Sequence, residues 1–533
     1  MLSTDELKKD VQLSKSFSPT TPPVGVVRSI AEFEHNESVI VAYRGWGFGI
    51  PIALIAEMSE DVIITTIVED ASEESDVLSD YTSGGVNLSN CNFIHASSDS
   101  YWTRDYSPWF ISVDNEVAIV DFPYDRPLRP NDDEMPIEFA SYLNVDLYGM
   151  DLMQTGGNWM SDGMGVAAST ELVEEENTSL SIPDINNLVE DFMGVTNYYI
   201  TTDPLDDYIK HIDCWGKFLD VDKILITEVP SADYRYADYE AMADYWEGQI
   251  SSYGNNYQVY RTYSPNGQPY TNSLILNNKV LVPIVTGTGS TWNDDAITVY
   301  ETAMPGYEVI GFTPNTLAPW EETDALHCRT HELPDRGMLY IKHLPTLGNV
   351  PYQLEYIIEA DIIPFTGQAV TQSMLYYQVD GGSFTGVTMT NISGNSYRGI
   401  IPELPEYSEI GYYIHAEDAS PRTANHPYIG APDPHIFNIG QSTGIDNINK
   451  FIVDIYPNPV SEELFVNIFS DKQQNISIKI IDITGKLVLS NNINIKIGNF
   501  VKNIDIRNLH KGIYLIQINF NTDSSISKKI IVQ

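Results

Sequence analysis

Between Val24 and Leu347 short apolar runs alternate with longer stretches of helical character. Val62-Ile-Ile-Thr-Thr-Ile-Val68, Val117-Ala-Ile-Val-Asp-Phe122 and Lys223-Ile-Leu-Ile-Thr227 are rich in β-branched residues, while Asp233 to Tyr253 spaces aromatics around acidic residues like a helix. Strands that alternate with helices commit a chain to an α/β fold, because each helix must cover a sheet face. About 320 residues is too many for one sheet, so this region is expected to break into internal modules.

From Gly348 the texture changes. Gln353-Leu-Glu-Tyr-Ile-Ile-Glu359, Ser373-Met-Leu-Tyr-Tyr-Gln-Val379 and Ile410-Gly-Tyr-Tyr-Ile-His415 are short strand patterns, separated by turn signals such as Asp380-Gly-Gly and Ser393-Gly-Asn. This rhythm over 348–440 predicts an immunoglobulin-like β-sandwich. Gln441 to Asp446 reads as a linker. Residues 447–533 are again strand-rich (Ile476–Asp482, Lys486–Ser490, Gly512–Asn519) and predict a second small β-sandwich. Residues 1–23 are polar, end in Ser18-Pro-Thr-Thr-Pro-Pro23, and read as a leader with little fold of its own. The expected domains are therefore 1–23, 24–347, 348–440 and 447–533.

The formal net charge is -45, which opposes nucleic-acid binding and suits attraction of cations. The charge is uneven: from Asp446 onward it is +2, against -47 for the first 445 residues, a shift that marks a domain of different character. Three cysteines, Cys91, Cys214 and Cys328, permit at most one disulfide and leave the redox compartment open. There is no apolar run long enough for a membrane span. Met1 to Lys9 lacks the apolar core of a signal peptide, so the chain is either cytoplasmic or already trimmed of its signal.

Cys328 lies in Ala325-Leu-His-Cys-Arg-Thr-His-Glu-Leu-Pro334. Neighbouring His327, Arg329 and His331 are expected to favour thiolate over thiol; the alternative is a buried, inert cysteine. Asp105, in Tyr101-Trp-Thr-Arg-Asp-Tyr-Ser-Pro108, could grip a planar guanidinium through two hydrogen bonds, or simply pair with Arg104. His211 and Asp213 are two apart and, if on a strand, share a face; Cys214 would then point away as a structural cysteine. No second ligand pair accompanies them, so a zinc site is not indicated. Gln154-Thr-Gly-Gly-Asn158 is a tight turn without the lysine of a phosphate-binding loop. Asn272 opens a strand, Asn277-Asn278 turn, strand unit.

Taken in order, Trp102-Thr-Arg-Asp105, Gly156-Gly-Asn158, His211-Ile-Asp213, Thr271-Asn-Ser273 and His327-Cys-Arg-Thr-His-Glu332 resemble the motif series of the agmatine deiminase and bacterial peptidylarginine deiminase family of guanidine-modifying enzymes. The resemblance spans about residues 24–347. It implies a pentein fold, a five-bladed pseudosymmetric α/β propeller with the active site at its centre. The two β-modules behind it resemble the secreted Porphyromonas-type peptidylarginine deiminases rather than the single-domain agmatine deiminases. Tyr456-Pro-Asn-Pro-Val460, Gly485-Lys-Leu-Val488, Lys511-Gly-Ile-Tyr-Leu-Ile-Gln-Ile518 and the terminal Lys528-Lys-Ile-Ile-Val-Gln533 resemble the type IX secretion sorting domain of Bacteroidetes. That implies export by the type IX machinery, a secreted or surface-attached product, and a signal peptide removed before Met1.

The same resemblance implies roles. Asp105 and Asp213 bind the guanidinium, Cys328 attacks its carbon, and His211 protonates the departing ammonia and then activates water. The intermediate is a thiouronium and the product citrulline. Asn272 orients the cysteine. Trp102, Tyr208 and Ile209 wall the aliphatic stem. Arg126 and Arg129, separated by two residues where the family has one, hold the terminal carboxylate of the substrate. Peptides and proteins with C-terminal arginine are the expected substrates, with agmatine a poor one. No cofactor, metal or calcium is implied; a structural cation on the acidic surface is left open. The competing readings are an agmatine deiminase, an inert surface adhesin and a cysteine protease. The arginine pair and trailing β-domains oppose the first, the complete polar set opposes the second, and two cleft aspartates without a role in amide hydrolysis oppose the third.

Overall fold

The computed structural model describes residues 17–45, 47–440 and 453–532, except 457, 459, 461–462, 471–472, 483–485, 497, 508 and 521–524. The proposed linker and most of the leader lie outside these residues.

The chain divides into two compact units, residues 1–440 and 441–533. In the first, the α/β region is built from five separate sheets of three or four strands, none closed on itself. A single pattern recurs. A short strand pairs antiparallel with the next strand, a helix follows, and the chain returns as a parallel edge strand. Gly216–Asp220, Lys223–Glu228, the helix Tyr236–Glu247 and Gln258–Tyr263 form one such repeat. Leu274–Leu276, Lys279–Pro283, the helix Asn293–Ala303 and Glu308–Phe312 form the next. Its tight turn places Asn277 at φ 55, a left-handed conformation that Asn adopts more readily than most residues. His331–Pro334 pairs antiparallel with Asn36–Ala42, so one sheet joins the end of the region to its beginning.

The predicted strands are present with small changes at their ends. The predicted helix over 233–253 is shorter, Tyr236–Glu247, and its C-cap is Gly248. It buries Tyr239, Met242, Ala243 and Trp246, one face of a helix at the i, i+3, i+4, i+7 spacing.

Two further sheets occupy residues 339–439, sharing one core that includes Tyr356, Ile362, Leu375, Ile401, Tyr412, Ile414 and Phe437. Leu339–Lys342 belongs to this pair of sheets through Glu355–Pro364. A buried histidine cluster lies where this layer meets the α/β region. His426 Nδ1 is 2.9 Å from His435 Nε2, His343 Nε2 is 3.0 Å from the Tyr412 hydroxyl, and the Tyr253 hydroxyl is 3.4 Å from His426 Nε2. The C-terminal unit has two sheets around a core of Val and Ile side chains, among them Val466, Ile468, Ile478, Ile480, Ile516 and Ile518. Among the described residues, no helix is long and apolar enough to cross a membrane.

Burial drives His343 down to about 4, and His426 and His435 well below the ordinary value. The folded state therefore holds these rings neutral, while the unfolded chain protonates them below about 6.5. Their stabilising effect is complete above that pH and is lost as the pH falls toward the folded values. His343 alone should cost about 2 kcal/mol of stability at pH 5 relative to pH 8. Melting curves at the two pH values should separate by several degrees, whereas replacing His343 with Gln should shrink the gap; coincident curves for the native chain would refute this.

Candidate active site

Five turns, each leading into the first strand of a repeat, carry the candidate residues. They are the single-turn helix Thr103–Tyr106, the 3-10 turns Gly156–Asn158, Ile212–Cys214 and His327–Arg329, and the segment around Asn272. Each directs a polar group from the N-terminal edge of its own sheet. Thr103–Tyr106 touches both Gly156–Asn158 and His327–Arg329, and Gly156–Asn158 touches Ile212–Cys214. Residues far apart in sequence thus converge without a long loop.

Cys328 is buried at the centre. Asn272 holds it from both ends: Nδ2 donates to Sγ at 3.2 Å, and Oδ1 accepts from the backbone N–H of Cys328 at 3.3 Å and of His327 at 2.9 Å. Asp213 Oδ2 lies 3.6 Å from Sγ. Asp105, His211, Trp102, Ile209, Arg126 and Arg129 line a small cavity with Cys328, about 10 Å³ in volume. Asp213 and Asn272 reach Cys328 from outside this cavity, whereas Tyr208, alone among the sequence-derived candidates, is exposed and does not line it.

His211 is fully buried, and its Nδ1 is 3.6 Å from Asp105 Oδ1. Among the described residues, neither ring nitrogen of His211, nor Asp105 Oδ1, has a hydrogen-bond partner. Buried polar atoms are seldom left so; the carboxylate oxygen and the one unprotonated nitrogen of the neutral ring can accept the N–H groups of a cation. Asp105 does not pair with Arg104, whose guanidinium forks onto Glu332 at 3.1 and 2.5 Å. Arg126 and Arg129 are buried rather than solvated; Arg126 pairs with Asp125, and Arg129 lies 4.6 Å over the Trp102 ring.

Three expectations are corrected. His211 and Asp213 do converge, but not on a strand: the chain turns tightly from Ile212 to Cys214. That turn brings Cys214 inward instead of away. Its thiol faces Asp213 Oδ1 at 3.6 Å and hydrogen-bonds Cys328. The neighbours of Cys328 also fail to favour thiolate. Burial takes His327 down to about 3 and His331 to about 4, and Arg329 is spent on Asp324 and the carbonyls of Gly49, Ala318 and Pro319. The hydrogen bond from Cys214 pulls the Cys328 thiol down, but burial and the carboxylates of Asp213, Asp324 and Asp105 outweigh it and hold the thiol above its ordinary value.

Sequence reasoning also left the glycines as mere turn formers. A Cβ on Gly157 would stand 2.5 Å from His211 Nδ1 and 2.8 Å from Asp105 Oδ1, and one on Gly156 would strike the Arg104 carbonyl at 2.0 Å. The pair is required by close approach to the site. Glu32, which bonds His327 Nε2 at 3.0 Å, was not singled out, since nothing in Ala31-Glu-Phe-Glu34 distinguishes it.

A sequence profile for the Porphyromonas-type peptidyl-arginine deiminases matches residues 50–334. A second, for the secretion system C-terminal sorting domain, matches residues 454–533; the protein is secreted or attached at the cell surface, and it engages the type IX export machinery. Among solved structures, a candidate arginine deiminase from Porphyromonas gingivalis is similar at 20% identity and TM-score 0.50, covering 58% of this chain and 99% of its own. The agmatine deiminase of Enterococcus faecalis is similar at 19% identity and TM-score 0.51, covering 60% of this chain and all of its own. These likenesses establish a shared mixed α/β fold.

Replacing Gly157 with Ala should displace His211 and Asp105 by enough to lower turnover about 100-fold or more. Its melting temperature should fall by a few degrees, because the methyl overpacks two buried side chains, while the fold persists. Retained turnover would show that these two groups need not stand where they do.

Proposed function

We propose that this chain, which belongs to the Porphyromonas-type peptidyl-arginine deiminase family, converts peptide arginine to citrulline and ammonia through a covalent adduct on Cys328. The observation that carries the reading is the set of buried polar atoms without a hydrogen-bond partner among the described residues, the acceptor Asp105 Oδ1 and the two His211 nitrogens (one donor and one acceptor in the neutral ring), around one thiol. A guanidinium is planar, always charged and rich in donors, and so fits them.

The raised thiol shapes the chemistry. In the free protein Cys328 is held as a thiol, because burial and, after it, the nearby carboxylates oppose a thiolate. A guanidinium bound between Asp105 and Asp213 offsets the carboxylates' share of that opposition. The thiol proton passes to His211, neutral in the empty site because burial lowers it to about 4. The sulfur then bonds to the guanidinium carbon. His211 returns the proton to the departing nitrogen, the C–N bond breaks and ammonia leaves. In the second half His211 takes a proton from water, hydroxide adds to the thiouronium carbon, and the C–S bond breaks; the added hydroxyl gives its proton to the departing sulfur, restoring the Cys328 thiol and leaving citrulline, and His211 passes its own proton to the released ammonia. Splitting one hard substitution into two easier ones is the benefit of the covalent route. Asn272 donates to the sulfur throughout and so steadies the thiolate.

Further parts of the proposal concern architecture and substrate. The five repeats form a five-bladed propeller around Cys328, followed by an immunoglobulin-like module at 348–440 and the sorting domain at 447–533. Trp102 and Ile209 wall the arginine stem. Arg126 and Arg129 hold the carboxylate of a C-terminal arginine, supported by their burial beside Cys328. The scheme needs no calcium.

Citrulline release from a peptide ending in arginine, from the same peptide with an internal arginine, and from agmatine, all with chelator present, tests this. The terminal arginine should be turned over best. Arg129→Ala should lower kcat/KM for that peptide about 10–100-fold, the worth of one to two charged hydrogen bonds, and leave agmatine little changed. Activity on agmatine alone would defeat the peptide reading. The acid limb gives a second test: kcat/KM should still be climbing as the pH passes about 8.5, the ordinary thiol value, and a plateau already at pH 7 would contradict the raised thiol.

A further inference from the structure

His327 stands between two carboxylates. Its Nδ1 is 2.7 Å from Asp213 Oδ2 and its Nε2 is 3.0 Å from Glu32 Oε2. Two lone pairs do not face each other at such distances, so each contact contains a proton. A neutral imidazole supplies one. The second therefore belongs to the trio, whether it rides on the ring or on a carboxyl, and the trio carries one net negative charge instead of two.

The surroundings agree with that count. Lys217 Nζ is 2.7 Å from Glu32 Oε2, and Arg104 Nε reaches the His327 carbonyl at 3.4 Å while its fork holds Glu332. Two cations, the three carboxylates Glu32, Asp213 and Glu332, and the extra proton sum to zero. All six residues line a second cavity of about 60 Å³ that shares no lining residue with the one at Cys328. It has room for a few waters, through which the proton can exchange. The trio is coupled to the nucleophile because the same Asp213 Oδ2 lies 3.6 Å from Cys328 Sγ. The other titratable and charged groups around that sulfur are Asp105, Asp324, Cys214, His211, Arg126 and Arg129, and Asp324 is already paired with Arg329.

We propose that Glu32, His327 and Asp213 form a charge-setting relay behind the nucleophile, in which His327 fixes the orientation of Asp213 and bridges the two carboxylates, so that the trio shares the proton that keeps a second negative charge from Cys328. His327 and Glu32 are positioning residues. The inference rests on the reading of Cys328 as the nucleophile of a deiminase.

The test is the pH dependence of iodoacetamide alkylation, read by mass spectrometry on the Cys328 peptide of the full chain. His327→Asn can donate to one carboxylate but cannot hold the extra proton. Its alkylation midpoint should rise by about one pH unit, roughly a tenfold slower reaction below the midpoint. Glu32→Gln removes a carboxylate together with the need for the proton, so its midpoint should stay at the native value. The double variant should return toward native. A native midpoint in His327→Asn, a double variant shifted as far as His327→Asn, or a midpoint that falls in Glu32→Gln would each overturn the relay. The last holds even if His327→Asn does not fold. The two readings fail separately: unmoved midpoints with citrulline formed would remove the relay alone, whereas moved midpoints without citrulline from any substrate would remove the deiminase reading alone.

Discussion

Burying carboxylates near a nucleophilic thiol is costly unless each has a partner, and the centre of this protein is organised by that requirement. Asp324 is forked by Arg329 at 2.8 Å on both oxygens, Glu332 by Arg104, Glu32 by Lys217 and a backbone N–H, and Asp213 by His327. Asp105 Oδ1, beside His211, is left without one. Under the proposed function a planar guanidinium supplies the partner that Asp105 Oδ1 lacks among the described residues. Burial and the same carboxylates hold the Cys328 thiol above its ordinary value.

The fold supplies this arrangement cheaply. Each repeat needs a chain reversal before its first strand, and five such reversals place Asp105, Asn158, Asp213, Asn272 and Cys328 at intervals of roughly 55 residues. Short turns anchored to sheet edges hold side chains more firmly than long loops. Asn158 shows the gain: its Oδ1 accepts from Thr170 N–H at 2.9 Å and Ile212 N–H at 3.3 Å, tying its own repeat to the turn that bears His211 and Asp213.

Much of this was legible in the sequence. β-branched runs such as Val62–Val68 sit in buried strands because their branched side chains pack well there, and the ordered motifs named the polar set that meets around Cys328. What failed did so for lack of three-dimensional information. Spacing put His211 and Asp213 on one face of a strand, whereas a tight turn does the work and carries Cys214 inward with them. Adjacency made His327 a promoter of thiolate, whereas burial strips it of that role and Glu32, 295 positions away in sequence, claims its far nitrogen. Tyr208 was grouped with Ile209 as a wall, yet it turns outward while Ile209 turns in. The repeat was implied only by the family resemblance, because its units share a pattern of strands and helix, not residues; the regular interval between motifs is its sign in the sequence itself.

Rapid acid quenching of the enzyme during turnover of an arginine peptide, followed by peptide mapping, bears most directly on the central claim. The account predicts an adduct on the Cys328 peptide with the mass of the substrate less ammonia, lost when Cys328 is replaced by Ser. An adduct on Cys214 or Cys91, or citrulline formed at full rate with Cys328 unmodified at every time point, would contradict it.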